Sequence, residues 1–430
     1  MLETTLARNQ SLRKQLLELI RREPQRAAPP DLDLQPGVVT RDDAPLSPGA
    51  PVDVVISVGE INNEHGTGPL VKRVFKDRRG IFSIRSQDHW GVQDFGDWHA
   101  KIAPKSSDRK ERFRAILPVL SGRNVRTVTC VPFETNEILL AIAIKEIFDA
   151  KLCLWIMDDS NVTGNGIPDD VMGECLEKCS LRLFTHPELR SAYEQKYKLP
   201  GYILPAVVPA HLVAEDLPPP NFDRSKKVGA LLGSFWDKSW FDHLCSVLEP
   251  CDWQMNWYGQ NRSPFMTFEP EALARAHIRP FGIISEELLA KELRKFPFVI
   301  VPVSTLDGRE IYKGVAALSL PGRILFAAAT SHTPILVVGS EKTCGARFVK
   351  HFGIGLVAPY DSSAVAAAID RLCEGDVQRA MRRQSAKVAR TLSDQGVVNW
   401  LAESIEKGVP ADGRFEDAFS GYNADLRVLQ

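Results

Sequence analysis

From Val52 onward, short β-branched apolar runs alternate with amphipathic stretches. VDVVISVG (52–59), NVRTVTCVPF (124–133), KLCLWIMDD (151–159) and LRLFTH (181–186) have the length and residue types of strands covered on both faces. Between them NEILLAIAIKEIFDA (136–150), DDVMGECLEKCS (169–180) and ELRSAYEQKYKL (188–199) repeat their apolar positions at helical spacing. The alternation stops at PAHLVAEDLPPPNFDRS (209–225), whose consecutive prolines suit neither element and mark a domain boundary. It resumes with KKVGALLGSF (226–235), a helix from about Trp240, DWQMNWYG (252–259), SEELLAKELRKF (285–296) and FVIVPV (298–303). PILVVGS (334–340), GIGLVAPY (353–360) and helices at 362–374 and 377–396 follow. The pattern predicts an α/β protein of two Rossmann-like domains, 51–222 and 223–385, facing across a cleft. The helices of 386–430, including NWLAESIEKG (399–408), are expected to cross back to the first domain.

Before this body, Leu2, Leu6, Leu12, Leu16, Leu19 and Ile20 fall near helical spacing, among six basic and three acidic side chains in residues 1–28. This predicts an extra basic amphipathic helix, which either packs on its own protein or lies on an anionic membrane surface. Residues 29–50, rich in Pro and Asp, read as a linker.

Composition narrows the function. Over 430 residues, 53 Lys+Arg balance 54 Asp+Glu, so a nucleic-acid coat, which needs a basic excess, is not expected. No apolar run nears the roughly 18 residues of a membrane span. The eight cysteines are thinly spread, mostly within apolar patterns, and read as packing in a reducing, cytoplasmic setting. Cys175 and Cys179 share a helix face, but no second ligand pair has metal-binding spacing. The polar N-terminus lacks the apolar core of a secretory signal.

In doubly wound sheets ligands bind beyond the carboxyl ends of the strands, so those loops carry the candidate chemistry. After the first strand, GEINNEHGTGPL places His65 among polar neighbours, with Gly66 and Gly68 allowing close backbone approach at a helix start. In WIMDDS, Asp158 and Asp159 end an apolar strand and can bind sugar hydroxyls or act as a base. In LLGSFWDKSW, Lys238 can neutralise a diphosphate. Leu320-Pro321-Gly322-Arg323 opens a helix whose N-terminus, with the fixed charge of Arg323, suits phosphate. Asp307 and Glu310 can accept from ribose hydroxyls, and Gly282 can present backbone groups to a nucleobase.

These loops, above all SLPGRILFAAATSHTPILVVGS and GIISEEL, resemble the GT-B glycosyltransferases, most closely the large retaining family 4 that uses nucleotide sugars. The resemblance spans about residues 52–400. Pro321, Arg323 and Pro334 approximate a family segment, with Arg323 in place of the usual lysine and Phe326 where a ribose-binding glutamate is common. It implies hexosyl transfer from a nucleotide-diphosphate donor to a glycan, polysaccharide or lipid-linked hydroxyl, with retention, no metal and no separate cofactor. Lys238 and Arg323 would stabilise the diphosphate while Gly282, Glu310 and Gly322 hold the nucleotide. Gly66, Gly68 and Asp159 would bind acceptor beside His65 and Asp158. The same scaffold also serves nucleotide-sugar epimerases and non-catalytic relatives. A two-lobed small-molecule binding protein, usually exported, is less consistent with the polar N-terminus.

Overall fold

The computed structural model describes residues 49–426 apart from 65, 104–107, 165, 216, 220–225, 236, 261–265, 308–309 and 311–312. The expected helix over 1–28 and almost all of the linker lie outside these residues.

The first sheet contains β1 (Pro51–Ser57), β2 (Ile81–Arg85), β3 (Trp98–Lys101), β4 (Asn124–Cys130), β5 (Lys151–Ile156), β6 (Leu181–Phe184) and β7 (Tyr202–Ile203). All pair in parallel, in the order β3-β2-β1-β4-β5-β6-β7. The second sheet contains β8 (Val228–Leu232), β9 (Gln254–Tyr258), β10 (Ile278–Gly282), β11 (Val299–Pro302), β12 (Ile335–Val338) and β13 (Gly355–Ala358). Its order, β10-β9-β8-β11-β12-β13, is again parallel throughout. Each order reverses once, between β1 and β4 and between β8 and β11, and these are the positions where a doubly wound sheet opens a ligand crevice.

The apolar runs are strands because helices cover both their faces: β5 and β12 each bury almost their whole length. Several elements escape the periodicity. β2 and the edge strand β3 are short and interrupted by Ser83 and His99. The Arg109–Leu120 helix is dense in charge and carries Pro118 in its last turn. β10 holds Pro280, which an edge strand tolerates because one of its sides needs no donor.

The Gly375–Ala389 helix is shorter than the expected 377–396 because the chain then extends toward the first domain. There the Val208 N–H donates to the Leu392 carbonyl (2.7 Å), and the Asp394 N–H donates to the Val208 carbonyl (2.9 Å). The Val397–Lys407 helix next packs on β5 and on the Thr67–Val74 helix, burying Trp400 and Leu401. One apolar core therefore runs through both domains. No described helix is long and apolar enough to cross a membrane.

Candidate active site

At the first switch point, the loop after β1 is laced to the loop after β2. The Glu60 carboxylate accepts the His89 and Trp90 N–H groups (2.9 and 2.8 Å), and the Asn62 amide donates to the carbonyls of Trp90 (2.7 Å) and Val92 (3.1 Å). Gly68 lies so close beneath this loop that a Cβ would stand 1.9 Å from the Asn62 carbonyl oxygen. Only glycine fits there. Gly66, the N-cap residue of the Thr67–Val74 helix, faces open space instead. His65 lies outside the described residues.

The two aspartates after β5 part company. Asp159 is buried and accepts four hydrogen bonds from the loop that follows it: the N–H groups of Asn161 (3.0 Å), Val162 (2.8 Å) and Thr163 (2.8 Å), and the Thr163 hydroxyl (2.6 Å). Asp158 is half-buried and receives the Ser319 hydroxyl from the other domain. Burial, reinforced by the neighbouring Asp159 charge and opposed by the Ser319 bond, pushes its carboxyl up to about 6.

At the second switch point Arg323 is the central group. It enters from the first turn of the Gly322–Thr330 helix and donates to the Ser234 carbonyl beyond β8 (2.7 Å) and the Pro302 carbonyl ending β11 (2.9 Å). It thereby spans the two strands where the sheet order reverses. Its Nε–H is buried and makes no hydrogen bond, and among the described residues no carboxylate pairs with it. Burial lowers its pKa to about 10, so it still carries a full charge at neutral pH. Gly233, at φ +99°, leaves the room this guanidinium occupies; a Cβ there would come within 2.2 Å of Nη1. Gly322 is exposed and faces Ala206 of the first domain, 3.5 Å from the position a Cβ would take.

The other proposed residues of this domain sit differently. Lys238 begins the Lys238–Leu248 helix, about half exposed, paired with Asp242 one turn on. Glu310 is buried and braces the loop after β11, accepting the Thr305 N–H (2.8 Å) and the hydroxyls of Ser304 and Thr305. Gly282 ends β10 at φ +75° beside the exposed Phe281 and Ile283, with Phe281 stacked on Tyr258 at 5.2 Å. Phe326 is buried in the shared core.

The Ser319–Arg323 segment thus connects Asp158 of the first domain, through the Ser319 hydroxyl, to Arg323 of the second. Sequence reasoning missed Ser319 and His186. His186 follows β6, and its Nε2 meets the Leu318 carbonyl across the domains. Beside it, Glu188 accepts from Arg347 (3.2 Å) and from the Tyr422 hydroxyl. The donor atoms of His186, Glu188 and Cys344 lie within 4.8 Å of one another, a metal-like grouping; both ring nitrogens of His186 are engaged by Thr185 and Leu318 and Glu188 Oε1 by Arg347 and Tyr422, while Glu188 Oε2 is buried without a hydrogen bond. Cys130, Cys153, Cys175 and Cys179 are all buried in the first domain; burial raises the thiols of Cys130 and Cys153 well above their ordinary pKa, and for Cys175 its bond with Cys179, together with burial, does the same.

By sequence, no protein-family model and no curated protein matches this chain. By structure it is similar to HepE from Anabaena in complexes with UDP and glucose and with UDP-glucose. The TM-scores are 0.58 and 0.56 at 10% and 11% identity, covering 83% and 82% of this chain and 99% of HepE in each. A UDP-N-acetylglucosamine 2-epimerase aligns with a TM-score of 0.51 at 12% identity, over 82% of this chain and 94% of its own. Two parallel sheets with opposed switch points, and this likeness, establish the fold as GT-B.

Proposed function

We propose that the protein is a glycosyltransferase that moves a hexosyl unit from a nucleoside-diphosphate donor to an acceptor hydroxyl. The observation that carries this reading is Arg323, a buried cation with an unused N–H and no carboxylate partner, placed across the switch point of the second sheet. A diphosphate at the start of the Gly322–Thr330 helix would meet that charge and the helix N-terminus together. Asp158, in the other domain, is ionised at neutral pH yet basic enough to take a proton. In the reaction the acceptor O–H gives its proton to Asp158, its oxygen bonds to the anomeric carbon, and the bond from that carbon to the phosphate oxygen breaks. The leaving diphosphate keeps the electron pair, and Arg323 stabilises it. In this scheme the fixed cation does the work a metal does in other transferases.

A base in the domain opposite the diphosphate suits attack from the far face, which inverts the anomeric centre, whereas the family resemblance implies retention. The anomeric coupling constant of the product decides between them. The exposed Phe281 and Ile283 beside Gly282 offer an apolar face for the base, and the HepE complexes make UDP-sugars the first donors to try. The acceptor is a glycan or a lipid-linked glycan. For the lipid-linked case, the basic residues of 1–28 would touch the membrane, and liposome sedimentation before and after their removal tests that contact.

The test of the main reading is a thermal-shift series with UDP, GDP, ADP and CMP and their sugars. One nucleotide should raise the melting temperature of the wild type and fail to raise that of Arg323→Ala. No shift with any of them would sink the reading. Because the epimerase shares the fold, the matching donor is also incubated without acceptor. Interconversion of the free nucleotide sugar would favour epimerisation.

A further inference from the structure

We infer that His186 is a positioning residue, which holds the Leu318–Arg323 segment from the opposite domain so that Ser319 meets Asp158 and Arg323 reaches the switch point. The inference rests on the transferase reading of the site.

Leu318 is the last residue of the Lys313–Leu318 helix, so its carbonyl has no donor within that helix. Its side chain is buried in the core of the first domain. From Ser319 to Pro321 the described backbone hydrogen bonds reduce to the Pro321 carbonyl accepting from Ile324 (2.9 Å). This stretch therefore depends on side-chain ties, of which the described residues show His186 to the Leu318 carbonyl and the Ser319 hydroxyl to Asp158. A carbonyl can only accept, so Nε2 carries the proton and Nδ1 of the neutral ring is an acceptor, sharing the single Thr185 hydroxyl proton (2.9 Å) with the Met157 carbonyl. Thr185 also lies 3.1 Å from the carbonyl of Met157, the residue before Asp158. The ends of β5 and β6 and the segment leading to Arg323 thus form one connected seam.

The ring's protonation is set by its surroundings. Glu188 on its own helix and Arg347 on the Cys344–Phe352 helix act in opposite directions, with Cys344 and Tyr422 completing the cluster around Glu188. Burial is the largest influence and keeps the imidazole neutral. That leaves Nε2–H a fixed donor at neutral pH. Around Asp158 the corresponding groups are Asp159 and Ser319.

The experiment compares His186→Gln, His186→Asn and Ser319→Ala in the full chain. A Gln amide reaches the position of Nε2 and keeps the bond to Leu318; an Asn amide reaches only the position of Nδ1 and loses it. Two readouts are taken: the titration of the Asp158 carboxyl carbon by NMR, and the melting-temperature shift produced by UDP. Loss of the Ser319 bond should raise the Asp158 midpoint by roughly half a unit to one unit in Ser319→Ala and in His186→Asn. His186→Gln should keep the wild-type midpoint. A residue that merely fills the core would lower the melting temperature of both His186 variants without separating their Asp158 titrations. Equal midpoints in His186→Asn and His186→Gln would therefore overturn the inference. Absence of a shift with UDP, GDP, ADP and CMP alike in the wild type instead removes the transferase reading, and the NMR result stands apart from it.

Discussion

The two switch points solve the same problem with opposite charges. In the first domain Glu60, Asn62 and Asp159 are all committed to loop backbone, while Asp158 meets a side chain of the other domain, Ser319. In the second domain Glu310 is committed to the loop after β11, and the cation Arg323 lies buried beneath the switch point with its Nε–H unused. Polar residues crowd the strand ends in both domains, yet most of them build the loops. Chemistry is available where a charged group keeps an unmet hydrogen-bonding atom or an unmet charge. Asp158 and Asp159, adjacent in the chain, put the contrast at its sharpest.

The largest test is Asp158→Asn. The transfer rate should fall by about 10²–10⁴-fold while the fold persists, measured by steady-state turnover of the matching donor. The wild-type rate should rise with pH through about 6, as the carboxylate forms, and this limb should vanish in the variant. Stability should move the other way. The folded-state pKa of Asp158 lies above the ordinary aspartate value, so the wild type loses stability as pH rises from about 4 through about 6. Asp158→Asn should therefore be the more stable chain at pH 8, with the gap closing toward pH 4, by urea unfolding.

Next, Arg323→Ala should weaken UDP binding by about 10–100-fold, the range for removing charge-assisted hydrogen bonds to phosphate, by calorimetry. Asp159→Ala comes third: with four donors left without an acceptor, it should lose about 1–3 kcal/mol of stability at pH 7, opposite in sign to its neighbour. If both aspartates destabilise when replaced, the comparison fails. The smallest effect is expected at Lys238. Its exposed pair with Asp242 predicts that Lys238→Ala changes UDP affinity by less than about twofold. A loss as large as that of Arg323→Ala would move the phosphate site to the start of the Lys238–Leu248 helix.

Much of the fold was legible in the chain. The runs at 52–59, 151–159 and 334–340 are apolar without alternation because each strand is covered on both faces, and the prolines near 219 divide the two sheets. Short strands such as β2, interrupted by Ser83, and the edge strand β10 were not legible; an edge tolerates the Pro280 that an interior strand avoids. Arg323 was visible in Pro-Gly-Arg because a helix start followed by a fixed cation is a local feature. His186 was not, since its partner carbonyl lies 132 residues away in the chain.

By itself the sequence determined the alternation of strand and helix, the division into two parallel sheets and the residue types present at the strand ends. Those follow from local periodicity and backbone chemistry, which act over a few neighbouring positions. Tertiary structure alone decided which polar groups are used up and which remain: why Asp159 folds a loop while Asp158 meets Ser319 of the other domain, and why Lys238 pairs on the surface while Arg323 sits unpaired beneath the switch point. A hydrogen bond is satisfied by whatever lies within about 3 Å in space, and distance along the chain does not enter.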